Sequence, residues 1–170
     1  MKVVKLICSV LSFVLMAALI IIAATFFVPK FMGGQSLAVL SGSMEPGIPV
    51  GSIVVALPTE AEELKTGDII TYRLSADTLV THRVVSNDTQ AQSLITKGDA
   101  NDVEDGAPVA YSQVLGKVSV HLPLIGYISI YIKTPLGIAG ICGVAFVMIL
   151  LIYIPELLEE GKKEKEKKDE

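Results

Sequence analysis

Two uncharged runs constrain this chain more than anything else in it. The first extends from Leu6 to Val28, twenty-three residues without a charge. At ~1.5 Å of rise per residue a helix of that length covers ~34 Å, more than a ~30 Å hydrocarbon core. The second, Leu136 to Ile154, is uncharged for nineteen residues, enough for another crossing. Small residues at Ala23-Ala24-Thr25 raise the competing reading of a cleavable leader, but a leader's apolar core is only ~7–15 residues. The first run therefore reads as an uncleaved anchor, closed by Pro29 and Lys30. Five segments follow: a short N-terminus over 1–5, an anchor over 6–28, a middle region over 29–134, a second span over 135–155 and a charged tail over 156–170. Lys2, Lys5 and the five lysines of the tail fall at one end of the spans, and only Lys30 and Lys133 at the other. The positive-inside rule then predicts a multi-pass protein of the cell membrane, with both termini cytoplasmic and residues 31–134 outside. Gly137, Gly140 and Gly143 give the second span a small-residue face on which another helix can pack.

Mean hydropathy is +0.59, and the apolar residues behind that value are concentrated in the two spans. Roughly a hundred residues of ordinary composition lie between them, enough for one modest core. Net charge is −4, and no basic stripe with interleaved aromatics is present, so nothing points to nucleic acid. Cys8 and Cys142 both sit inside the apolar runs, which leaves the middle region without a disulfide or a thiol nucleophile. Cys/His clusters with zinc spacing are absent as well, and no residue pattern calls for a metal or a cofactor.

The middle region reads as short strands separated by turn chemistry. Ser52–Leu57 and Ile69–Leu74 are β-branched runs, the second opened by Gly67-Asp68. Thr78–Val85 follows, and its Leu79-Val80 can pair back on the second run across Ser75-Ala76-Asp77. Ser93–Thr96 is short, and Val114–Leu122 alternates as a half-exposed strand. Glu60–Lys65 reads as a solvated turn or short helix. Leu122–Ile132 is too apolar for an exposed loop, and two readings stay open: a segment resting on the membrane interface, or a last core strand. The fold class is mainly β, a folded sheet or barrel between two transmembrane helices.

Chemistry gathers at Ser41-Gly42-Ser43-Met44-Glu45-Pro46, a run of small residues and prolines just beyond the first span. A serine there needs a base within hydrogen-bonding reach before it becomes a nucleophile. Two histidines exist, His82 and His121. Strand alternation puts His82 on one face with Val80 and Val84, away from Thr81 and Arg83. His121 lies beside the apolar 122–132 segment and reads as structural or exposed. Asp99, Asp102, Glu104 and Asp105 cluster in a loop after a short strand. Such a loop is ordinarily an Asx-type turn, yet a carboxylate there can also fix a histidine's tautomer and support its imidazolium. Lys65 and Lys97 remain chemical alternatives as the base.

Four stretches, Ser41–Pro46, Gly67–Tyr72, Val80–Val84 and Lys97–Asp105, resemble in order and spacing the motif boxes of type I signal peptidases. A histidine where many bacterial members carry lysine is similar to the endoplasmic-reticulum-type branch of that family, which includes single-chain enzymes. The resemblance covers about residues 6–135 and implies a membrane-bound serine endopeptidase that removes signal peptides from exported preproteins. It implies Ser43 as nucleophile, His82 as general base, and Asp105 and Asp99 as the two important aspartates. Which of those two orients His82 is left open. It further implies that the Ser43 N–H and the Ser41 hydroxyl hold the oxyanion, and that Met44 packs near the substrate cleft. An edge strand around Leu37–Leu40 suits β-addition of an extended peptide, with Val39 and Leu40 as substrate-binding residues. Partners implied are signal-peptide-bearing preproteins, the lipid bilayer and the secretion translocase. A second span departs from the simplest single-anchor members. The rival reading is a non-catalytic membrane-anchored β module that binds exported chains or secretion machinery. A histidine base acts only when neutral, so the catalytic reading expects activity to rise from about pH 5 to about pH 8.

Overall fold

The computed structural model describes residues 2–132 and 134–166; Lys133, one of the lysines weighed for orientation, lies outside the described residues. Helix α1 (Lys2–Phe31) and helix α3 (Pro135–Glu166) flank a region of seven strands and a short helix. Two compact units result, one holding α1 up to Ala23 together with the chain from Tyr131 onward, the other running from Ala24 to Ile130. Val3–Phe31 and Pro135–Leu157 are both long and apolar enough to cross a membrane. Each helix outruns the uncharged stretch that marks it in the sequence. α3 continues through Pro155 into the charged tail, and α1 passes through Pro29 instead of stopping there. Proline has no N–H to return to the carbonyl four residues back, and the Thr25 carbonyl accepts the Ser36 hydroxyl at 2.8 Å instead.

The second unit is one antiparallel sheet. In chain order its strands are β1 (Gln35–Ala38), β2 (Ile53–Leu57), β3 (Ile69–Arg73), β4 (Leu79–Asp88), β5 (Ser93–Lys97), β6 (Val109–Ala110) and β7 (Val114–Leu122). Their order across the sheet is β1-β2-β7-β3-β4-β5-β6, so the last strand inserts between the second and the third. The β3–β4 hairpin pairs Tyr72 with Val80 and Arg73 with Leu79, the pairing expected across Ser75-Ala76-Asp77. Register shifts at Val55/Ala56, Thr71/Tyr72 and Val84/Ser86 add local twist and bend the strands. Gly116 sits where β7 crosses β2, and a Cβ there would lie 2.2 Å from the Leu57 carbonyl oxygen. Glu60–Lys65 contains a single 3-10 turn, Ala61–Glu63.

The core has two parts. Leu64, Ile70, Tyr72, Val84, Leu94 and Val109 form one. Met44, Ile48 and Val54 form the other, with Leu37, Val39, Ile69 and Val118 packed against it. The second cluster pulls the Ser41–Pro46 loop down onto the sheet through Met44, which is only 1% exposed. The segment after β7 is not the further core strand that is one of its two readings; it is mostly helical. β7 ends at Leu122, Leu124 takes a φ of 68°, and Ile125–Tyr131 coil into helix α2. Gly126 lets α2 close on the backbone of Gly51 and Ser52, where a Cβ would approach the Ser52 oxygen to 2.4 Å.

Candidate active site

A groove of about 580 Å³ is lined by residues 37–41 on one side and 77–82 on another, with Ser43, Met44, Ile48, Val54 and Asn101 completing the wall. The loop and the strand are far apart in sequence, but the sheet brings Ser43 and His82 to the same groove. Ser41, Val39, Leu40 and Met44 line it too. Asp105 and Asp99 lie outside that lining, and each has a different partner.

His82 is buried on β4 opposite Ile70 of β3. Its Nδ1 lies 2.6 Å from Asp105 Oδ2. Burial pushes the Asp105 carboxyl up, but hydrogen bonds from His82, Thr96 and Tyr72 outweigh it and hold the group below the ordinary carboxylate range. An ionised carboxylate accepts and cannot donate, so Nδ1 is the donor, and in a neutral ring the lone pair then lies on Nε2. Two more donors meet the same oxygen: the Thr96 hydroxyl at 2.6 Å and the Tyr72 hydroxyl at 3.2 Å. Tyr72 closes the Gly67–Tyr72 motif stretch without a role read for it there, and Thr96 lies just outside Lys97–Asp105. Burial first, and the neighbouring Asp105 charge, raise the Tyr72 phenol above its ordinary value, so it stays a donor.

Asp99 is held elsewhere. Arg83, on the other face of β4 from His82, forks onto it: Nε donates to Oδ1 at 2.8 Å and Nη2 to Oδ2 at 2.6 Å, while Nη1 donates to the Gly67 carbonyl at 2.7 Å. Of the two aspartates left open by the sequence, Asp105 is the one on the imidazole, and Asp99 ties the loop after β5 to β4. That loop in turn holds the serine. The Ala100 N–H donates to the Ser43 carbonyl at 2.9 Å, an approach possible because residue 98 is glycine; a Cβ at Gly98 would sit 2.6 Å from the Ser43 oxygen. Among the described residues, neither the Ser43 N–H nor the Ser41 hydroxyl is taken up by another protein group. His121 is exposed and pairs across the sheet with Val54, outside the groove lining.

No family model matches the chain. Individual relatives do. Signal peptidase I W of Bacillus subtilis is 36% identical over 120 residues, 65% of this chain and 63% of the relative, so the chain spans just under two thirds of that protein. The signal peptidase complex catalytic subunit SEC11 of Lodderomyces elongisporus is 36% identical over 124 residues, 64% of this chain and 74% of the relative. SEC11 of Candida albicans (strain WO-1) is 33% identical over the same length, again 74% of that protein. With more than a third of positions shared across nearly three quarters of a SEC11 subunit, the chain belongs to the type I signal peptidase family.

Proposed function

We propose that this chain is a membrane-bound serine endopeptidase that removes N-terminal signal peptides from exported preproteins. Ser43 is its nucleophile, His82 its general base and Asp105 the carboxylate that orients the base. The observation that carries this reading is the His82 Nδ1–Asp105 Oδ2 contact of 2.6 Å behind a groove whose wall includes Ser43. An extended peptide enters along the open edge of β1, the outermost strand of the sheet, and adds main-chain hydrogen bonds beside Leu37–Leu40. Shallow apolar contact comes from Val39, Leu40 and Val80, over the buried Met44.

The steps then balance as follows. His82 Nε2 takes the Ser43 hydroxyl proton as Oγ bonds to the scissile carbonyl carbon, and the carbonyl π pair moves onto oxygen. The Ser43 N–H and the Ser41 hydroxyl hold that oxyanion; one such donor is typically worth ~3–4 kcal/mol of barrier. Collapse breaks the C–N bond, and the imidazolium returns its proton to the departing amine of the mature protein. Water attacks the acyl-enzyme and gives a proton to His82, the C–Oγ bond breaks, Ser43 is re-protonated, and the signal peptide leaves as a carboxylic acid. Asp105 stays ionised throughout and holds Nδ1–H.

Lysine placement supports cytoplasmic termini, two membrane crossings and a catalytic unit on the outer side. There it meets emerging preproteins beside the bilayer, with the secretion translocase as neighbour. Cleavage of a preprotein in detergent or liposomes tests the reading. Ser43→Ala and His82→Ala are each expected to lower kcat/KM at least about a thousandfold with folding retained. Full activity of Ser43→Ala would overturn it in favour of a β module that only binds exported chains.

A further inference from the structure

We infer that Thr96 and Tyr72 are positioning residues of the same site, a buried pair of hydroxyls that fixes Asp105 and shares its charge with His82. The inference rests on the reading of His82 as base and goes past the Ser/His/Asp set itself. Three donors from three adjacent strands meet on one carboxylate oxygen: Tyr72 from β3 at 3.2 Å, His82 from β4 at 2.6 Å and Thr96 from β5 at 2.6 Å. Thr96 holds Asp105 twice, because its carbonyl also accepts the Asp105 N–H at 2.8 Å. Thr96 is 0% and Tyr72 3% exposed, so water is shut out from the back of the carboxylate. The Tyr72 ring additionally meets the His82 ring edge-on, with centroids 6.4 Å apart.

A carboxylate on a flexible loop would follow the imidazole as it moved. Here it is pinned to β3 and β5, and the imidazole orients against a fixed acceptor. Sharing the charge has a second consequence. Each hydroxyl withdraws part of the negative potential that Asp105 presents to the ring, and removing one strengthens the hold of the carboxylate on an imidazolium. Among the described residues, the ionisable groups facing His82 and Asp105 are Tyr72 on β3 and, along the groove, Asp77. Arg83 on β4 and Lys97 on β5 point by strand alternation to the other face, Arg83 onto Asp99, and Asp102 and Glu104 are solvent-exposed.

The test uses the full chain in detergent micelles with Thr96→Val and Tyr72→Phe, both nearly isosteric, and with Thr96→Ser, which loses only a methyl. Thr96→Val should lower kcat/KM about tenfold, mostly in kcat, and move the acid limb of its pH profile upward by about half a pH unit. Thr96→Ser, which keeps the hydroxyl, should restore both. The same variants are followed by ring-proton NMR, where a chain with two histidines gives few signals; the His82 ring should titrate at higher pH in Thr96→Val than in wild type. A melting temperature that falls while limb and titration stay in place overturns the inference, as does Thr96→Ser behaving like Thr96→Val. Should Thr96→Val fail to fold, Tyr72→Phe decides, with a smaller shift in the same direction expected and no shift refuting. A wild-type chain that cleaves nothing, beside a Thr96→Val chain that shows the NMR shift, would refute the protease reading alone; cleavage without the shift would refute only the charge sharing.

Discussion

At the scale of single residues, the two aspartates that look alike in Lys97–Asp105 do different jobs. Asp105 stands on the imidazole and Asp99 on a guanidinium. Asp105→Ala is therefore expected to reduce cleavage far more than Asp99→Ala, since it removes the acceptor that fixes the base, whereas Asp99→Ala loosens a partly exposed fork. Comparing residual kcat for the two variants checks this, and equal losses would contradict it. Gly98 is the sharper probe. Its replacement by alanine drives a methyl into the Ser43 carbonyl, at 2.6 Å, and that carbonyl belongs to the residue proposed as nucleophile. A displacement on the order of 1 Å costs roughly a hundredfold in rate, so Gly98→Ala should lose activity out of proportion to stability, read by cleavage beside a thermal melt. That His82 lies on the apolar face of its strand was legible from alternation alone. That Thr96 and Tyr72 stand behind Asp105 was not, because an isolated Ser93–Thr96 run says nothing about which strand it will face.

Elements repeat the pattern. β2, β3, β5 and β7 lie within a residue or so of where β-branched runs place them, because period-two patterning and turn residues are local signals. β4 runs on to Asp88, past the expected end at Val85, since β5 pairs with it beyond the Val84/Ser86 irregularity. The two-residue β6 has too little sequence to announce itself. α2 replaces the last core strand read for Leu122–Ile132, while the reading of that segment as resting on the membrane interface stands beside a helix. Its seven residues are too few to show a helical period, and its place depends on Gly51 and Gly126 meeting across the chain. Gly126→Ala should undock it, with a cost near the ~1–3 kcal/mol of overpacking, measurable as a lower melting temperature; an unchanged melt would show that α2 is not held by this contact.

For the molecule as a whole, acid and topology give separate tests. Asp105 and Asp68 both have folded-state values held below the unfolded one: burial opposes this in each, and the His82, Thr96 and Tyr72 bonds outweigh it in the first, the Lys117 and Lys65 bonds in the second. The folded chain therefore binds these protons less readily than the unfolded chain. The stability they give is present above the unfolded value, 3.8 for each, and is lost as pH falls below it through the folded values. Thermal melts should show a decline below about pH 4 that is shallower in Thr96→Val, which has less of this stabilisation to lose. Topology is read by labelling. Val103 is 74% exposed in the loop after β5, and Val103→Cys in intact cells or spheroplasts should react with a membrane-impermeant maleimide added outside. Wild type, whose cysteines lie in α1 and α3, should not; protection of Val103→Cys would place the sheet on the other side.

Sequence by itself determined the two long apolar helices and the β character of the stretch between them, and singled out the serine, the histidine and the acidic loop as candidates. Those depend on composition, on periods of two residues and on charge near the span ends, all of which are local. Tertiary structure alone decided which aspartate meets the imidazole, which hydroxyls stand behind it, and that the last strand inserts between the second and the third. Such outcomes turn on register and close backbone approach between segments distant in the chain, at Gly98 against Ser43 and Gly116 against Leu57, and no local pattern encodes them.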